Sequence, residues 1–381
     1  MGVRYQVRVK DKSGALVSIF EDYAGFLSLE YSHDINAPSG ANMALRGDDA
    51  RAKTLIQPDY QWEIWREYSD VGLAWYKEWE GLQRSKVSQH YENNNREIRC
   101  YAYTYPELLK RRCIAWASGS SVAQQSGPAE TVMKNWVKYN IGSLATPGNG
   151  RHADGVMTGF NVETDLGRGS AWSGGRAYEE LLKALQDVAK ESGVDFDVIG
   201  TGAGIFEFRV YPTGRGTDRR AIGVPSLTGK NTAGNAPVIF SVENGNVREI
   251  TWTENRTDEY NRVLALGQGE GAYRYFYAAE DSVGIAESIT VREKPYNAAS
   301  DASTAGVQKA AAAELAKTKA AERLTFQPIP TSSCAYGKHF TWGDKVTVSY
   351  FGLTTHMRIN AVTMRFQTGK EVAQFDYEET A

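Results

Sequence analysis

The sequence predicts a β-rich α+β protein in which antiparallel barrels or sandwiches carry inserted helices. Polar and apolar residues alternate through roughly the first hundred positions. Helical periodicity replaces this alternation after Thr104, and a second series of alternating segments follows Pro237. Glycine (37 residues) and aromatic residues (21 Tyr, 13 Phe, 9 Trp) are plentiful, as in proteins with many short strands and tight turns. Because 381 residues exceed what one hydrophobic core usually serves, we expect two to four domains.

Composition excludes several classes of protein. With 41% hydrophobic and 23% charged residues, the chain has the make-up of an ordinary folded protein. A formal net charge of -3 gives no electrostatic reason to expect a nucleic-acid-binding protein. No segment approaches the ~20 apolar residues of a membrane span, and the opening segment MGVRYQVRVKDK lacks the apolar core of a secretory signal. Cys100, Cys113 and Cys334 are scattered, which indicates reduced thiols in a protein that folds in a cytoplasm.

Residues 1–103 are expected to form an N-terminal barrel or sandwich. Apolar residues recur at every second position, which is the pattern of strands with one buried face. Turn-forming segments separate these strands, namely NAPSG (36–40), RGDD (46–49) and ENNN (92–95). Short antiparallel strands at this spacing favour a barrel or sandwich. The alternating residues are Val3, Tyr5, Val7 and Val9; Leu27, Leu29 and Tyr31; Tyr60, Trp62 and Ile64; and Ile98, Cys100 and Ala102.

Residues 104–222 are expected to form an inserted α+β domain with three helices. Thr104 and Glu107 have the spacing of a capping box, so the first helix should begin there and continue to Ile114. The second helix should follow Gly127-Pro128 and end at Gly142.

The third helix of this domain should carry an apolar stripe from Tyr178 to Val188 and end at Gly193. Before it, residues 143–175 are rich in glycine, with strand character around 156–162. After it, residues 196–198 and 206–210 should form a hairpin.

Residues 223–296 and 326–381 contain the second strand series. An alanine-rich helix, roughly Thr304 to Leu324, lies between the two parts in segment 297–325, and Pro328 and Pro330 mark its end. Strands are expected near 238–242, 247–252, 263–266, 273–277, 346–351, 356–365 and 372–377.

Three glycine-containing segments resemble nucleotide-binding loops but lack what such loops require. Segment 223–230 (GVPSLTGK) is one residue too long for a phosphate-binding loop, and Asn231 replaces the Ser or Thr that would hold magnesium. Segment 267–271 (GQGEG) follows an apolar strand, but residues 272–278 indicate another strand where a dinucleotide site needs a helix. Segment 200–204 (GTGAG) lies in a predicted hairpin turn. We therefore expect surface loops and tight turns, and no cofactor.

No catalytic or metal-binding residues are predicted. The histidines have neither helical i, i+4 spacing nor a neighbouring cysteine pair, and Cys334 with His339 lacks the other ligands that zinc needs. There is no G-x-S-x-G motif, and acidic pairs would serve a glycosidase only at a suitable separation in space. Exposed tryptophans would be able to stack on sugars, although alternating aromatic residues are more often core. The residues considered are His33, His90, His152, His339 and His356; Glu21-Asp22, Glu179-Glu180 and Glu280-Asp281; and Trp75, Trp79 and Trp172.

The order of several motifs is more specific than any one motif. A strand ending in Arg66 precedes a Gly-x-x-Arg element, formed by Gly81 and Arg84, and then a helix of the form Y-x-x-L-L-x-R-R. The helical residues are Tyr105, Leu108, Leu109, Arg111 and Arg112. Further along are SGPAETVMKNWVKYNIG (126–142), the segment 178–197, GTDRR (216–220), ENRTDEYNRVLALGQGE (254–270) and the residues Trp342, Gly343, Asp344 and Val346. In this order the motifs resemble the siphophage tail-tip hub proteins, which are related in architecture to the central baseplate hub of T-even phages.

This resemblance implies a structural protein without catalytic residues. It implies two tail-tube-like β-barrels, one in residues 1–103 and one in 223–296 with 326–381, with the α+β domain (104–222) and the Ala-rich helix (297–325) inserted. It implies a homotrimer whose six barrels form a ring at the virion tail tip, after assembly in the host cytoplasm. The implied partners are the distal tail or tail-tube protein, the tape-measure protein and a tail fibre or receptor-binding protein, with DNA passing through without sequence-specific binding.

Two alternatives from other classes stay open. One is a virion-associated cell-wall hydrolase, which would need a cleft with paired carboxylates or a metal. The other is a carbohydrate-binding tail-tip protein, which would need exposed aromatic side chains.

Overall fold

The computed structural model describes residues 2–22, 25–54, 56–92, 96–115, 120–223, 229–298, 303–318 and 321–380. Strands dominate and helices are interspersed among them, so the predicted β-rich α+β class is confirmed. The chain divides into two compact units. Unit 1 comprises Met1–Asn246 and Pro328–Ala381, and unit 2 comprises Val247–Gln327.

The N-terminal region of unit 1 consists mainly of strands, as the alternation predicts. Along β1, Tyr5, Val7 and Val9 are fully buried, and the residues between them are partly exposed. The predicted turn at 92–95 lies largely outside the described residues. The elements are β1 (Val3–Lys10), β2 (Leu16–Glu21), β3 (Ser28–Asp34), β4 (Gly40–Arg46), α1 (Ala50–Thr54), β5 (Gln61–Tyr68), β6 (Leu73–His90) and β7 (Arg96–Thr104).

The middle of unit 1 alternates helices and strands. Its elements are α2 (Glu107–Lys110), β8 (Ala123–Pro128), α3 (Ala129–Asn140), β9 (Phe160–Val162), β10 (Ala171–Arg176), α4 (Leu181–Ser192), β11 (Asp195–Gly202), β12 (Ile205–Tyr211) and β13 (Ile239–Ser241).

Unit 2 and the final strands of unit 1 complete the chain. Unit 2 contains β14 (Val247–Asn255), β15 (Arg262–Leu266), β16 (Phe276–Glu280), α5 (Ser282–Glu287), β17 (Glu293–Asn297), α6 (Thr304–Thr318) and most of β18 (Ala321–Pro328). Unit 1 ends with β19 (Lys345–Tyr350), β20 (Leu353–Gln367) and β21 (Lys370–Glu379).

One 11-stranded sheet forms the framework of unit 1. Its order is β13-β19-β20-β3-β4-β7-β6-β5-β1-β2, with β21 also paired to β20. The long strand β20 pairs with β19 through residues 353–358 and with β3 through residues 361–367. Strands from near both ends of the chain therefore share one sheet.

Side chains from distant strands of this sheet share one core. The ring of Tyr5 on β1 packs against Phe366 on β20 at 5.0 Å, and Arg66 on β5 pairs with Glu371 on β21. Among the described residues, backbone pairing leaves the sheet open and closes no barrel. The two tail-tube-like barrels therefore stay a prediction.

The helix expected at Thr104 is much shorter than its sequence suggests. Thr104 is the last residue of β7, and its hydroxyl accepts a hydrogen bond from the N–H of Ser39 at 2.8 Å instead of capping a helix. The helix α2 has only four residues. The helix stops because the backbone that follows it pairs with the segment at the start of α4. Ile114 donates its N–H to the carbonyl of Glu179, and Leu181 donates its N–H to the carbonyl of Arg112.

The second and third helices agree well with the prediction. Helix α3 begins directly after Pro128, and α4 ends at Gly193, whose φ of 67° is left-handed. Helix α4 starts later than predicted because Tyr178 has a φ of 57° and donates its N–H to Ile114. The predicted hairpin is β11–β12, and α2, α3 and α4 bury one core with it. Of the strand character predicted for 156–162, only β9 is realised.

Gly81 is required by the close approach of β6 to β7. A Cβ atom at this position would lie 2.3 Å from the carbonyl oxygen of Tyr103 and 2.4 Å from the ring of Trp79. We expect Gly81→Ala to lower the free energy of unfolding by about 1 to 3 kcal/mol, because a buried backbone must move. Chemical denaturation measures this loss. Gly40→Ala is the matched control, since its Cβ would be 3.8 Å from the same Tyr103; equal losses would contradict the explanation.

The glycine-containing segments are turns and loops in the described regions. Segment 200–204 forms the β11–β12 turn, where Gly200 donates its N–H to Glu80 at 2.8 Å. Gly14, in the β1–β2 turn, approaches this segment so closely that a Cβ would lie 2.6 Å from Ala203. In segment 223–230, residues 224–228 lie outside the described residues. Buried Asn231 donates its amide N–H groups to the carbonyls of Asp218 and Arg220, so it shapes a loop.

Unit 2 contains a three-stranded sheet, β16-β15-β17, and a two-stranded sheet, β14-β18. After segment 267–271, β16 begins only at Phe276. Helix α6 packs on the three-stranded sheet through Val307 and Ala311. It ends at Thr318, earlier than the predicted Leu324, because Leu324 belongs to β18 and is buried there.

Candidate functional site

Charged and aromatic side chains converge in unit 1 where β11 and the loop after β12 meet β3, β6 and β20. A cavity of about 180 Å³ lies among them. The junction site, as we call it, comprises His33, Glu78, Asp195, Asp197, Arg215, Trp342, Asp344 and Arg358.

Asp195, the first residue of β11, is 4% exposed and joins three segments. It accepts hydrogen bonds from Nδ2 of Asn36 at 2.9 Å and from the N–H of Arg215 at 2.5 Å. It also pairs with the guanidinium of Arg358 on β20. Asn36, in the β3–β4 turn, has a φ of 59°, which asparagine tolerates, and accepts the N–H of Phe196 at 2.7 Å.

Trp342 lies between a cation and an imidazole. The Cζ of Arg215 is 3.8 Å from the indole centroid, and the ring of His33 stacks on the indole at 4.8 Å. Arg215 also pairs with Asp197, whose pKa is raised by burial. Cation stacking on a partly buried indole contributes about 0.5 to 2 kcal/mol. The indole therefore fixes the loop that carries Arg215 against β3.

Glu78 is the buried acid beside this stack. Its Oε1 lies 3.3 Å from Nε2 of His33 and accepts the hydroxyl of Tyr336 at 2.8 Å. Burial acts to raise the pKa of Glu78, but contacts with His33 and attraction to Arg66 outweigh it and lower that pKa.

Asp344 brings together two motifs on which the family resemblance rests. It is 1% exposed and accepts the N–H groups of Thr217 and Thr341 at 2.6 and 2.9 Å. Arg219 donates its Nε to the same carboxylate at 3.0 Å. Burial raises the pKa of Asp344 despite these bonds. The segments 216–220 and 342–344 therefore contact each other in the folded protein.

Arg66, another residue of the resemblance, is buried in the sheet core. It is 2% exposed and donates Nε and Nη2 to the carboxylate of Glu371 at 2.8 and 2.7 Å. Its Nη1 donates to the carbonyl of Tyr336 at 3.2 Å. Burial acts to lower the pKa of Arg66, but attraction to Tyr5 and Glu371 outweighs it and raises that pKa.

Two further arginines of the resemblance meet at one acid. Arg84 and Arg111 both donate to Oδ1 of Asp59, at 2.6 and 2.8 Å. Burial acts to raise the pKa of Asp59, but the two guanidinium groups outweigh it and lower the pKa. The Gly-x-x-Arg element and the α2 motif therefore cooperate in one surface ion-pair cluster. Tyr105, Leu108 and Leu109 are buried in the core of the α+β region.

A second buried ionic cluster fixes the loop before β10. Lys134 and Glu130 on α3 are fully buried and lie 2.6 Å apart. Arg168 donates its Nε and Nη2 to Glu130 at 2.8 and 2.7 Å, and Lys134 also reaches Glu163 at 3.0 Å. Hydrogen bonding from Arg168, and then from Lys134, lowers the pKa of Glu130 to about 2.

Acid is expected to weaken unit 1 through Glu130. Its pKa in the folded protein is about 2, below the ordinary value of 4.5. Its stabilisation is therefore complete above pH 4.5 and is lost as the pH falls towards 2. Urea denaturation at about pH 5 and about pH 3 measures how much the free energy of unfolding falls between these two pH values. This fall should be smaller for Glu130→Gln than for the wild type. The control is Glu92→Gln at an exposed position, where the free energy of unfolding should fall by as much as in the wild type. A fall in Glu130→Gln equal to that of the wild type would contradict this account.

Local structure accounts for three of the residues considered as metal ligands, namely His339, His356 and Cys334. His339 accepts the N–H of Ala335 at Nδ1, 3.0 Å away, and His356 contacts the hydroxyl of Thr347 at 3.1 Å. Cys334 is buried, which raises its pKa to about 11. In the described part of the chain, no three His, Cys, Asp or Glu side chains are grouped to hold a metal ion.

The remaining sequence candidates also have structural partners. Trp79 is 1% and Trp172 is 8% exposed, and each donates its indole N–H, to Ser32 and Glu191 respectively. Trp75 lies under the guanidinium of Arg4 at 5.5 Å. In the acidic pairs, Glu179 bridges Arg176 and Lys183. Asp22 accepts the N–H of Tyr5. Glu280 pairs with Arg262, and Asp281 caps α5.

Asp195 and Asp197, the central acids of the junction site, were not among the residues predicted from sequence patterns. Asp195 and Asp197 stand in the segment VDFDV, where they flank a core phenylalanine on a strand. The sequence feature that could have indicated them is their position beside a buried residue of a strand, because a buried carboxylate needs a partner. Arg358, the partner of Asp195, is 163 residues away from it, and local patterns do not reveal such a distant contact. Asp197 pairs instead with Arg215.

Comparison with solved structures identifies the fold. The fold resembles the 43 kDa tail protein of prophage MuSo2 from Shewanella oneidensis, with a TM-score of 0.58, 14% identity and coverage of 98% of this chain and 97% of that chain. It resembles the tail protein from Neisseria meningitidis MC58 with a TM-score of 0.54, 13% identity and coverage of 99% and 97%. A chain of the lidded Francisella PdpA–VgrG complex has a TM-score of 0.53 and 9% identity, with coverage of 96% of this chain and 49% of that chain. The architecture is therefore that of phage tail proteins.

The family follows from the sequence match. The model of the family described as "Siphovirus ReqiPepy6 Gp37-like protein" matches residues 6–374, so the chain belongs to this family. No curated protein matches the chain. The chain is thus a structural protein of the phage tail or baseplate, and the resemblance to this class predicted from its motifs is confirmed.

Proposed function

We propose that the protein is the hub at the distal end of the phage tail. In this role it closes the tail tube, joins the tube to the tape-measure protein and to receptor-binding components, and opens for DNA passage. Family membership and the full-length likeness to tail proteins support this role.

The observation that carries the proposal is the unpaired outer edges of the large sheet. Among the described strands, β2 pairs only with β1, and β21 pairs only with β20. Apolar side chains lie exposed on both, with Leu16 at 54% and Val372 at 47%. An exposed apolar edge favours pairing with another chain. A neighbouring copy of the chain would cover this edge, and the same contact repeated around a three-fold axis would close a ring.

In this proposal residues 1–103 form the first tail-tube-like barrel, and 223–296 with 326–381 form the second. Residues 104–222 form the inserted α+β domain, and 297–325 carry the Ala-rich helix. Three copies would then present six barrels to the tube. The junction site would hold the inserted domain rigidly against the sheet, since its charges are paired and largely buried.

The proposed partners are those of a tail tip: two further copies, the distal tail or tail-tube ring, the tape-measure protein and a tail fibre or receptor-binding protein. DNA would pass without sequence-specific binding, and assembly would occur in the host cytoplasm. Among the described residues, no helix has both the length and the apolarity to cross a membrane.

Labelling of purified virions tests this role. We expect antibody against the protein to mark the tail end far from the head, and quantitative mass spectrometry to count three copies per particle. Labels along the whole tail, or hundreds of copies per particle, would contradict the proposal.

A further inference from the structure

A polar cavity of about 360 Å³ lies between β8, α3 and the loop that follows α3. Its lining shares no residue with the junction site. Its polar side chains are Arg151, Asn140, Asn149, Gln124, Gln125 and Ser120, and two aromatic rings, Trp136 and Tyr139, complete it. This size suits a small organic ligand.

Arg151 is held in place at this cavity. Its Nη1 donates to Oδ1 of Asn140 at 3.2 Å, and its main-chain N–H donates to Thr146 at 3.2 Å. Asn140 is itself 1% exposed and is fixed by a 2.8 Å bond to the carbonyl of Trp136. The guanidinium packs so closely on Gly155 that a Cβ there would lie 2.6 Å from Nε of Arg151. The arginine is therefore prepositioned before any ligand arrives.

Among the residues that the structure describes, none forms an ion pair that would neutralise the positive charge of Arg151. No carboxylate among the described residues lies within ion-pair distance of Arg151 or of nearby Arg112, and the buried Nε atom of each has no hydrogen-bond partner there. Burial, and then repulsion by Arg151 and Arg111, lowers the pKa of Arg112, although Asp154 and Cys113 act in the opposite direction. A partly buried pair of unmatched guanidinium groups is costly, and a bound anion would relieve that cost.

The rest of the lining suits a sugar. Tyr139 is 40% exposed and offers a ring face, while Trp136 is fixed by an N–H bond to Ala123 at 3.2 Å. Side-chain amides and a hydroxyl surround these rings, and such groups can both donate to and accept from sugar hydroxyls. Aromatic rings pack against the apolar face of a sugar ring.

We propose that this cavity binds an acidic saccharide, with the carboxylate of a uronic acid on Arg151 and a sugar ring on Tyr139. A guanidinium is suited to bidentate recognition of a carboxylate. The site goes beyond the proposed hub role, and it would let the tail contact an acidic polysaccharide of a cell surface.

Isothermal titration calorimetry of the full chain with digalacturonate tests the site. Arg151→Gln should weaken binding by about tenfold or more, because a charge-assisted hydrogen bond is lost. Arg111→Gln is the matched control and should bind as the wild type does, since Arg111 pairs with Asp59 and does not line the cavity. Tyr139→Ala, which changes an exposed position, should also weaken binding. If Arg151→Gln fails to fold, this second variant tests whether the cavity binds the saccharide.

The ligand class is tested by two further titrations. The neutral disaccharide maltose and inorganic phosphate should each bind about tenfold or more weakly than digalacturonate. Absent binding of digalacturonate, or equal binding by the folded Arg151→Gln protein, would overturn the site. Equal affinity for maltose or for phosphate would overturn the acidic saccharide as its ligand. None of these results alters the expected position of the protein in the virion.

Discussion

Arg66→Ala is expected to lower the free energy of unfolding by about 3 to 5 kcal/mol, because it leaves the carboxylate of Glu371 in the core without its counter-charge. The two donors of Arg66 to Glu371 are lost, and the hydroxyl of Tyr5, which contacts the same carboxylate, cannot replace a positive charge. The void left by the long side chain adds to this cost. Urea denaturation followed by tryptophan fluorescence measures the change.

Arg365→Ala is the matched control for this substitution. Arg365 lies on β20 of the same sheet and pairs with Glu30, but the two side chains are 57% and 34% exposed. An exposed pair contributes less than about 1 kcal/mol. If both substitutions cost the same, burial of the Arg66–Glu371 pair does not have the role assigned here.

Asp195→Ala is expected to cost about 3 to 5 kcal/mol and to loosen the junction site. The substitution leaves Arg358 without its acid and removes the acceptor used by Asn36 and by the N–H of Arg215. Hydrogen exchange should therefore become faster at the N–H groups of Phe196 and Arg215, which this network protects.

The control for Asp195 is Asp187→Ala on α4. Asp187 is 43% exposed and lies 3.6 Å from Arg176, so its loss should cost less than about 1 kcal/mol. Unchanged exchange at Phe196 and Arg215 in Asp195→Ala would show that the carboxylate does not hold these segments together.

Local patterns predicted the elements whose geometry is local. The alternation of Tyr5, Val7 and Val9 identified β1, because side chains on a strand point to opposite faces in turn. The apolar stripe before Gly193 identified α4, because glycine adopts the left-handed conformation that ends a helix. Both features depend on residues within a few positions of each other.

Elements that depend on distant partners were predicted less well. The capping-box pattern at Thr104 failed because Ser39, 65 residues away, uses the hydroxyl that would have capped a helix. The pairing of β3 with β20 joins residues 28–34 to residues 361–367, and no local pattern indicates it. The alanine-rich segment ends early because β18 takes up Leu324.

The same reason limited prediction of the junction site. Motif resemblance drew attention to Trp342 and Asp344 of this site and to Arg66 of the sheet core, although it did not indicate which side chains they contact. The acid that neutralises Arg66 is 305 residues away, and Asp344 contacts a loop 127 residues earlier. Which acid meets which arginine is fixed by the sheet order, so it becomes visible only in the folded chain.

The most direct test of the central claim is an averaged cryo-electron microscopy map of the tail end of the native particle. The hub role predicts three copies of this chain around the tail axis, with β2 and β21 at the contacts between neighbouring copies and six barrel-like sheets continuing the wall of the tube. A map that places the chain elsewhere in the virion, or that shows the tube ending in a ring without this chain, would contradict it.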